Sequence, residues 1–274
     1  MTAQPPKGLI MKKILIILVC LIFALTLNIQ DNTIPQNTPE HLFVLDNVED
    51  GCFGFICFQN HKTKIRVQKD GITYIYDYVN FGELTNYPLQ LSSGEYEISL
   101  LRHIVFNRYR VAQRLVVEFK GCDLKVYLNE TQYFETNEKL ERIFDEIFAG
   151  AEADMEKFNR AYDYILNNIV YDHEKAKNVK PPYVPNPYKT ITNKSGICFD
   201  YASLLATMLR YVDVPTRLVK GYSNHVNSYH AWNEVYIDGE WHIVDSTVDA
   251  VYFKNNIRFD TFKPMEDYRK ASQY

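Results

Sequence analysis

The sequence has little of what several classes of protein require. Its five cysteines include no C-x-x-C pair, so a thiolate zinc site has little support. No lysine or arginine run is longer than Lys12-Lys13, and the formal net charge is only -4, which argues against nucleic acid as a partner. Because 46% of the 274 residues are hydrophobic, wholesale disorder is excluded and one large or two ordinary domains can form.

The odd number of cysteines leaves at least one thiol without a partner. Cys52 and Cys57 lie in an apolar stretch, and we expect them to be buried and unpaired rather than bridged. If the chain is exported, a bridge between Cys122 and one of that pair is the alternative. Cys198 has no obvious partner, as a nucleophile requires.

An apolar run from Ile14 to Leu27 follows the basic pair Lys12-Lys13. This order is typical of a secretory signal, so residues 1–30 are expected to be a signal peptide or an N-terminal membrane anchor. Residues 31–40 are predicted to form a linker. We therefore expect an extracellular or cell-surface protein, with membrane association through residues 14–29 if the segment is retained.

Between residues 41 and 135, short alternating runs with turn punctuation predict a small, mostly-β accessory domain. The strongest hairpin signal is Asp70-Gly71. The predicted strands are Lys64–Gln68, Ile72–Tyr78, Tyr96–Leu101, Val111–Phe119 and Leu124–Leu128. The isolated His61 and His103 are expected to be surface or structural residues.

After Thr136 the apolar period becomes helical, and residues 136–274 are assigned to a second domain. Two stripes predict helices that pack on a core: Leu140, Ile143, Phe144 and Ile147, then Met155, Phe158, Tyr162, Ile165, Leu166 and Ile169. Prolines between Pro181 and Pro187 rule out a continuing helix and indicate a cleft wall or a spacer. Residues 251–274 offer no motif and are expected to be a packing tail.

The stretch Ser195–Arg210 predicts a buried helix that begins at Cys198. At a helix start, free backbone N–H groups and the helix dipole stabilise a thiolate, the reactive form of cysteine. The alternative is that Cys198 is merely a small hydrophobe. If it is a nucleophile, its backbone N–H is the natural first oxyanion donor, and Asn193 is a candidate for a side-chain donor.

Asp238-Gly239 predicts a hairpin with a two-residue turn. In that register His230 lies opposite Thr247. His230 and Asp245 then share one face of the sheet as diagonal neighbours, ~7–8 Å apart. His242 falls on the opposite face and is expected to be structural. A slip of one residue would reverse this assignment.

A thiolate, an imidazole and a carboxylate are what acyl transfer requires. Cys198 would attack a carbonyl, His230 would move protons, and Asp245 would orient the imidazole. A metal site built from His225, His230 and His242 lacks matching carboxylate or thiolate spacing, so no metal and no cofactor is expected.

Four segments resemble the transglutaminase-like superfamily: Gly-Ile-Cys-Phe-Asp-Tyr-Ala, Arg-Leu-Val-Lys-Gly-Tyr, His-Ala-Trp-Asn-Glu-Val, and Asp-Gly-Glu-Trp-His-Ile-Val-Asp-Ser-Thr. The resemblance covers roughly Phe158–Val248. It implies an α+β, papain-like core in which the cysteine helix packs on an antiparallel sheet. It also implies that Cys198 is the nucleophile, His230 the base and Asp245 the orienting acid.

Other positions match the family less directly. Trp232 and Asn233 occupy its characteristic positions after the histidine, and Tyr222 and Trp232 are candidates for substrate binding. Ser246 departs from the pattern, since Pro often precedes the following Thr. The triad does not depend on that position.

The resemblance implies a cysteine-dependent enzyme that acts on peptide or glutamine amide bonds through a thioester acyl-enzyme. A protease-like hydrolase is preferred, by similarity to small exported bacterial members. The alternatives are a protein cross-linking transglutaminase that uses an amine acceptor, and a non-catalytic cell-surface module that binds peptide or glycan. The expected partner is a protein or peptide, including one of the cell wall or cell surface.

Overall fold

The computed structural model describes residues 40–274. The expected signal or anchor segment and residues 31–39 of the linker lie outside the described residues. No helix within the described range combines the length and apolarity needed to cross a membrane.

The described chain has an α+β architecture of thirteen strands and six α-helices, and most of its strands lie in antiparallel sheets. The strands are β1 (His41–Val44), β2 (Cys52–Cys57), β3 (Thr63–Lys69), β4 (Ile72–Tyr78), β5 (Thr85–Pro88), β6 (Gly94–Val105), β7 (Arg108–Phe119), β8 (Val170–Tyr171), β9 (Ser195–Gly196), β10 (Thr216–Ser223), β11 (Val226–Ile237), β12 (Glu240–Val244) and β13 (Tyr268–Gln273). The helices are α1 (Glu138–Phe148), α2 (Asp154–Asn168), α3 (His173–Asn178), α4 (Pro187–Asn193), α5 (Cys198–Tyr211) and α6 (Ser246–Lys254).

The N-terminal half contains two antiparallel sheets, in the orders β4-β3-β6-β7 and β1-β2-β5. The predicted hairpin is present: Asp70 and Gly71 form its turn, both with positive φ (50° and 79°). Such angles match the right-handed twist of the flanking strands. Buried aromatic rings join the two sheets, among them Tyr76 and Tyr87 with centroids 5.3 Å apart.

One predicted strand in this half is wrong. Residues Lys125–Leu128 form a single 3-10 turn instead of a strand. The apolar residues of this stretch are nevertheless buried, as they would be in a strand: Val126 and Tyr127 both lie in the core. A run this short does not distinguish a strand from a buried helical turn.

The cysteines of this half are free thiols. Cys52 and Cys57 are buried, which confirms the expectation that they are unpaired. Cys122 is exposed and makes no bridge to either.

A third antiparallel sheet, ordered β12-β11-β10-β13, forms the centre of the C-terminal half. Helix α5 packs on β10 and β11, which is the arrangement expected of a papain-like core. Its residues from Phe199 to Arg210 are all buried. A helix that is covered on every side must be mostly apolar all round, and this one is.

Helix α5 lies between two hydrophobic cores. Phe199 and Ala202 join the aromatic core of the β-rich half, while Tyr201 and Leu205 join a second core formed with α1 and α2. The predicted stripes of α1 and α2 supply that second core. The first core therefore crosses the boundary expected at residues 135/136, and the division into two domains stays a prediction.

Helix α2 ends at Asn168, well before the proline-rich segment, and no helix runs through Pro181, Pro182 and Pro185, as predicted. Two short helices flank this segment: α3 precedes it and α4 begins at its last proline. Their starts are capped by Asp172 and Asn186. Pro187 occupies the first turn of α4, where its missing N–H costs nothing.

The C-terminal segment differs most from expectation. Residues 251–274 were expected only to be a packing tail, but residues 268–273 form β13, an edge strand that pairs with β10. The buried Arg210 of α5 fixes this end of the chain by donating hydrogen bonds to the carbonyls of Thr216 and Tyr274. Strand β13 therefore belongs to the same sheet as the predicted histidine.

Candidate active site

Cys198 is the first residue of α5, as predicted. The Asp200 carboxylate holds this helix start: its Oδ2 accepts the Ile197 N–H at 2.8 Å and binds Lys175 Nζ at 2.7 Å. Gly196 lies so close that a Cβ there would stand 2.6 Å from Asp200 Cβ, which explains the glycine of the motif. The Cys198 N–H has no intrahelical acceptor at this position, so it is available to a ligand.

His230 of β11 and Asp245 are in direct contact. His230 Nε2 donates a hydrogen bond to Asp245 Oδ2 at 2.8 Å, and the two residues are 3% and 0% exposed. The predicted hairpin register is confirmed where Ile237 pairs with Glu240, next to the turn.

The predicted position opposite His230 is wrong. Strand β12 ends at Val244, and Asp245 caps α6 by accepting the Val248 N–H at 3.1 Å. Thr247 therefore lies in the helix and not across from His230. Because the backbone turns at Asp245, its carboxylate bonds the imidazole directly instead of facing it diagonally.

The imidazole interacts with both expected partners. Burial lowers the pKa of His230, but hydrogen bonds to Asp245 and to the Cys198 side chain raise it, to about 10. With Nε2 occupied by Asp245, Nδ1 is the ring nitrogen left for the sulfur. Both partners therefore favour the protonated ring: the Asp245 carboxylate on one side and negative charge on Cys198 on the other.

Tyr268 of β13 completes the surroundings of the carboxylate. Its hydroxyl donates a hydrogen bond to Asp245 Oδ2 at 2.9 Å, and the ring packs on Trp232 with centroids 5.1 Å apart. The sequence analysis missed this residue because it lies in the segment expected to be a tail. Only the pairing of β13 with β10 brings it to the site, and no local pattern signals that pairing.

Trp232 and Asn233 of β11, together with Gly221 on the adjacent strand β10, fix the position of β11. Trp232 is buried, and its ring stacks near the imidazole at 6.3 Å. Asn233 donates hydrogen bonds to the carbonyls of Ala202 and Arg217, which ties β11 to α5 and β10. Gly221 is required beside them, since a Cβ there would stand 2.1 Å from a β13 carbonyl and 2.8 Å from the Trp232 ring.

The remaining candidates make no hydrogen bond to His230 or Asp245. Asn193 ends α4 with an exposed side chain, and its proposed role as oxyanion donor stays a prediction. Tyr222 is 47% exposed on β10 and packs edge-on against Tyr229, so it lies on an open surface. His242 stacks on Phe262 at 4.4 Å, and His225 pairs with Asp267 at 3.4 Å.

Lys220 is a second residue that sequence reasoning missed. Its half-buried ammonium lies 3.4 Å from the centroid of Phe199, the residue after the cysteine, and about 5 Å from Tyr274 and Tyr133. Burial lowers the pKa of Lys220 to about 8, while negative charge on Cys198 raises it. The motif Arg-Leu-Val-Lys-Gly-Tyr contains this lysine. That its ammonium contacts Phe199 depends on the packing of β10 against α5, which the motif does not reveal.

Residues 141–246 match the family model described as the transglutaminase-like superfamily. Among curated proteins, the chain is 30% identical over 118 residues to the kyphoscoliosis peptidase of Mus musculus, which covers 39% of this chain and 18% of that protein. The human kyphoscoliosis peptidase is 28% identical over 138 residues, or 45% of this chain and 21% of that protein. The chain therefore spans only about a fifth of the length of these relatives.

Solved structures resemble the chain at low identity. A Cytophaga hutchinsonii protein, provisionally described as a cysteine protease, gives a TM-score of 0.44 at 17% identity, covering 81% of this chain and 80% of that one. The periplasmic domain of TgpA from Pseudomonas aeruginosa gives a TM-score of 0.39 at 14% identity, covering 81% and 96%.

Proposed function

We propose that the chain is a cysteine-dependent acyl-transfer enzyme, starting from the match of residues 141–246 to the transglutaminase-like superfamily. The single observation that carries the proposal is the alignment of Cys198, His230 and Asp245. A partly accessible thiol at a helix start interacts with an imidazole that a buried carboxylate orients. This is the arrangement that nucleophilic acyl transfer uses on unrelated folds.

The proposed reaction has two stages. In the first, the Cys198 thiolate attacks an amide carbonyl, and the oxyanion that forms accepts a hydrogen bond from the Cys198 N–H. The His230 proton then goes to the departing amine. A thioester remains. In the second stage, His230 takes a proton from water or from an acceptor amine as it attacks the thioester, and the thiolate leaves.

Lys220 supplies positive charge that acts on the Cys198 side chain. Its ammonium contacts aromatic rings and interacts with charge on Cys198. In a partly dry site, a fixed cation stabilises negative charge much more strongly than it would in water. We assign Lys220 the role of stabilising the thiolate, as a positioning residue beside the triad.

The triad contacts are compatible with hydrolysis, with deamidation and with cross-linking, because all three proceed through one thioester. We propose hydrolysis of a peptide bond in a protein or peptide at the cell surface. Protein cross-linking is the second candidate, favoured by the same family match.

The products formed with and without an added primary amine decide between these reactions. We expect that peptide libraries incubated with the full chain yield cleaved peptides, with masses unchanged by the amine. Amine-dependent mass gains at glutamine would favour cross-linking, and a gain of one dalton without cleavage would indicate deamidation. Cys198→Ala is the matched blank, and activity that persists in it would contradict the proposal.

The alkaline side of the pH–activity profile should report two groups. We expect kcat/KM to fall as pH rises through about 8, where Lys220 loses its charge, and to fall further near pH 10, where His230 does. Below those values both groups are protonated, so the contribution of each is present at lower pH and lost at higher pH.

Lys220→Met separates the two losses. This variant should lower kcat/KM on the plateau by roughly tenfold, which corresponds to about 1.4 kcal/mol of lost thiolate stabilisation. It should also remove the step near pH 8. Lys189→Met, on the exposed face of α4, is the control and should retain both steps. An unchanged step near pH 8 in Lys220→Met would show that another group titrates there.

A further inference from the structure

The hairpin of β6 and β7 ends in an exposed apolar tip. Ile104, Val105 and Phe106 are 58%, 41% and 86% exposed, although each is large enough to contribute to a core. Scattered single apolar residues are normal on a surface, but three in succession at a projecting turn are not.

Phe106, the most exposed residue of this turn, has an unfavourable backbone conformation. Phe106 has φ of 51°, in the left-handed region that bulky residues avoid. The imidazole of His103 donates a hydrogen bond to the Phe106 carbonyl at 2.7 Å, and its ring packs on Tyr109. The fold therefore presents an aromatic side chain outward at a conformational cost, without burying it.

The part of this hairpin nearest the tip is basic within an acidic chain. Between Ile98 and Val117 the sequence has four arginines and no Asp or Glu, whereas the whole chain has a net charge of -4. Among the salt bridges of residues 40–274, Arg102 pairs with Glu40 and Arg114 with Glu97. Arg108 and Arg110, the two nearest the tip on β7, are exposed and take part in none of those bridges.

We propose that the β6–β7 hairpin docks on an anionic lipid surface, with the side chains of residues 104–106 inserted among the acyl chains and Arg108 and Arg110 on the headgroups. The charge complementarity favours this occupant. Arginines near an anionic leaflet are attracted within a Debye length, and apolar side chains gain from leaving water. A convex tip of three side chains is too small for a stable protein interface of ~800 Å² on each partner. A membrane needs no complementary shape.

The proposal is independent of catalysis and of residues 14–29. A probe at the tip reports depth in the bilayer even if another segment also binds. Phe106→Trp in the full chain, mixed with vesicles of phosphatidylserine and phosphatidylcholine that carry brominated acyl chains, provides that probe. Phe253→Trp, at a 44% exposed position on α6, is the matched control with the same native tryptophans.

We expect brominated vesicles to quench the added emission of Phe106→Trp by about twofold relative to unbrominated ones, as for a side chain at the headgroup–acyl boundary. The Phe253→Trp emission should change little. Arg108→Gln with Arg110→Gln, in the Phe106→Trp background, should weaken quenching by phosphatidylserine vesicles at least several-fold. High salt should do the same.

Equal quenching of both tryptophan variants would overturn the proposal, since the tip would then be no deeper than any other surface. Quenching of Phe106→Trp that is unaffected by the arginine changes and by salt would refute the anionic part of the assignment. If vesicles leave the Phe106→Trp emission unchanged, the tip does not bind lipid and a protein partner becomes the better explanation.

Discussion

Cys198→Ala is expected to reduce turnover to background, a loss of at least about 10⁴-fold, because no other group in the site can form the thioester. The fold should persist, since the side chain is only partly buried at the first turn of α5. Turnover of a peptide identified from the library, together with the thermal unfolding midpoint, measures both effects. The matched control is Cys122→Ala, which removes an exposed thiol far along the sequence.

Alkylation tests the same residue without a substrate. Iodoacetamide should label Cys198 much faster than Cys122, although Cys122 is the more exposed of the two. Cys52 and Cys57 should react slowest because they are buried. Equally slow labelling of all five cysteines would exclude a nucleophilic Cys198.

Asp245→Ala should give the second large effect, on both activity and stability. The carboxylate accepts hydrogen bonds from His230, Tyr268 and the Val248 N–H, and its removal leaves all three without that partner in a buried site. We expect kcat to fall by roughly 10³–10⁴-fold without vanishing, because the role is orientation. The free energy of unfolding should drop by about 2–4 kcal/mol.

Another histidine–aspartate pair provides the control. His225 and Asp267 are 3.4 Å apart, and each side chain is 26% exposed. Asp267→Ala should therefore leave turnover intact and change stability by about 1 kcal/mol, since the pair is partly open to solvent. Comparable losses in both variants would mean that the buried pair has no special role.

The choice between His230 and His242 as the base can be tested in the same way. His230→Ala should abolish turnover, whereas His242→Ala should retain it, because His242 stacks on Phe262 and not on the carboxylate. If His242→Ala were the inactivating change, the assignment of His230 as the base would be wrong.

Much of the candidate site could be predicted from local patterns. A glycine before Cys198 and the apolar spacing after it predicted where α5 begins. Asp238-Gly239 predicted the hairpin and selected His230 over His242, because a two-residue turn determines which residues share a face. These signals depend on a few adjacent residues, so a single sequence contains them.

Other features needed the folded chain. Strand β12 ends one residue before Asp245, so the contact with His230 is direct, and the position expected for Thr247 was wrong. Periodicity locates a strand but does not fix its last residue to within one position. The 3-10 turn at Lys125–Leu128 was mistaken for a strand for a related reason.

The cysteine helix, the hairpin and the pairing of a histidine with an aspartate were determined by the sequence itself, through turn chemistry and hydrophobic spacing. The tertiary structure alone decided that Tyr268 reaches Asp245 and that Lys220 packs on Phe199, the residue after Cys198. Both depend on strand pairing and helix packing between segments distant in the chain. Such contacts form because burying the shared cores lowers the free energy of the whole molecule, and no short stretch of residues encodes that sum.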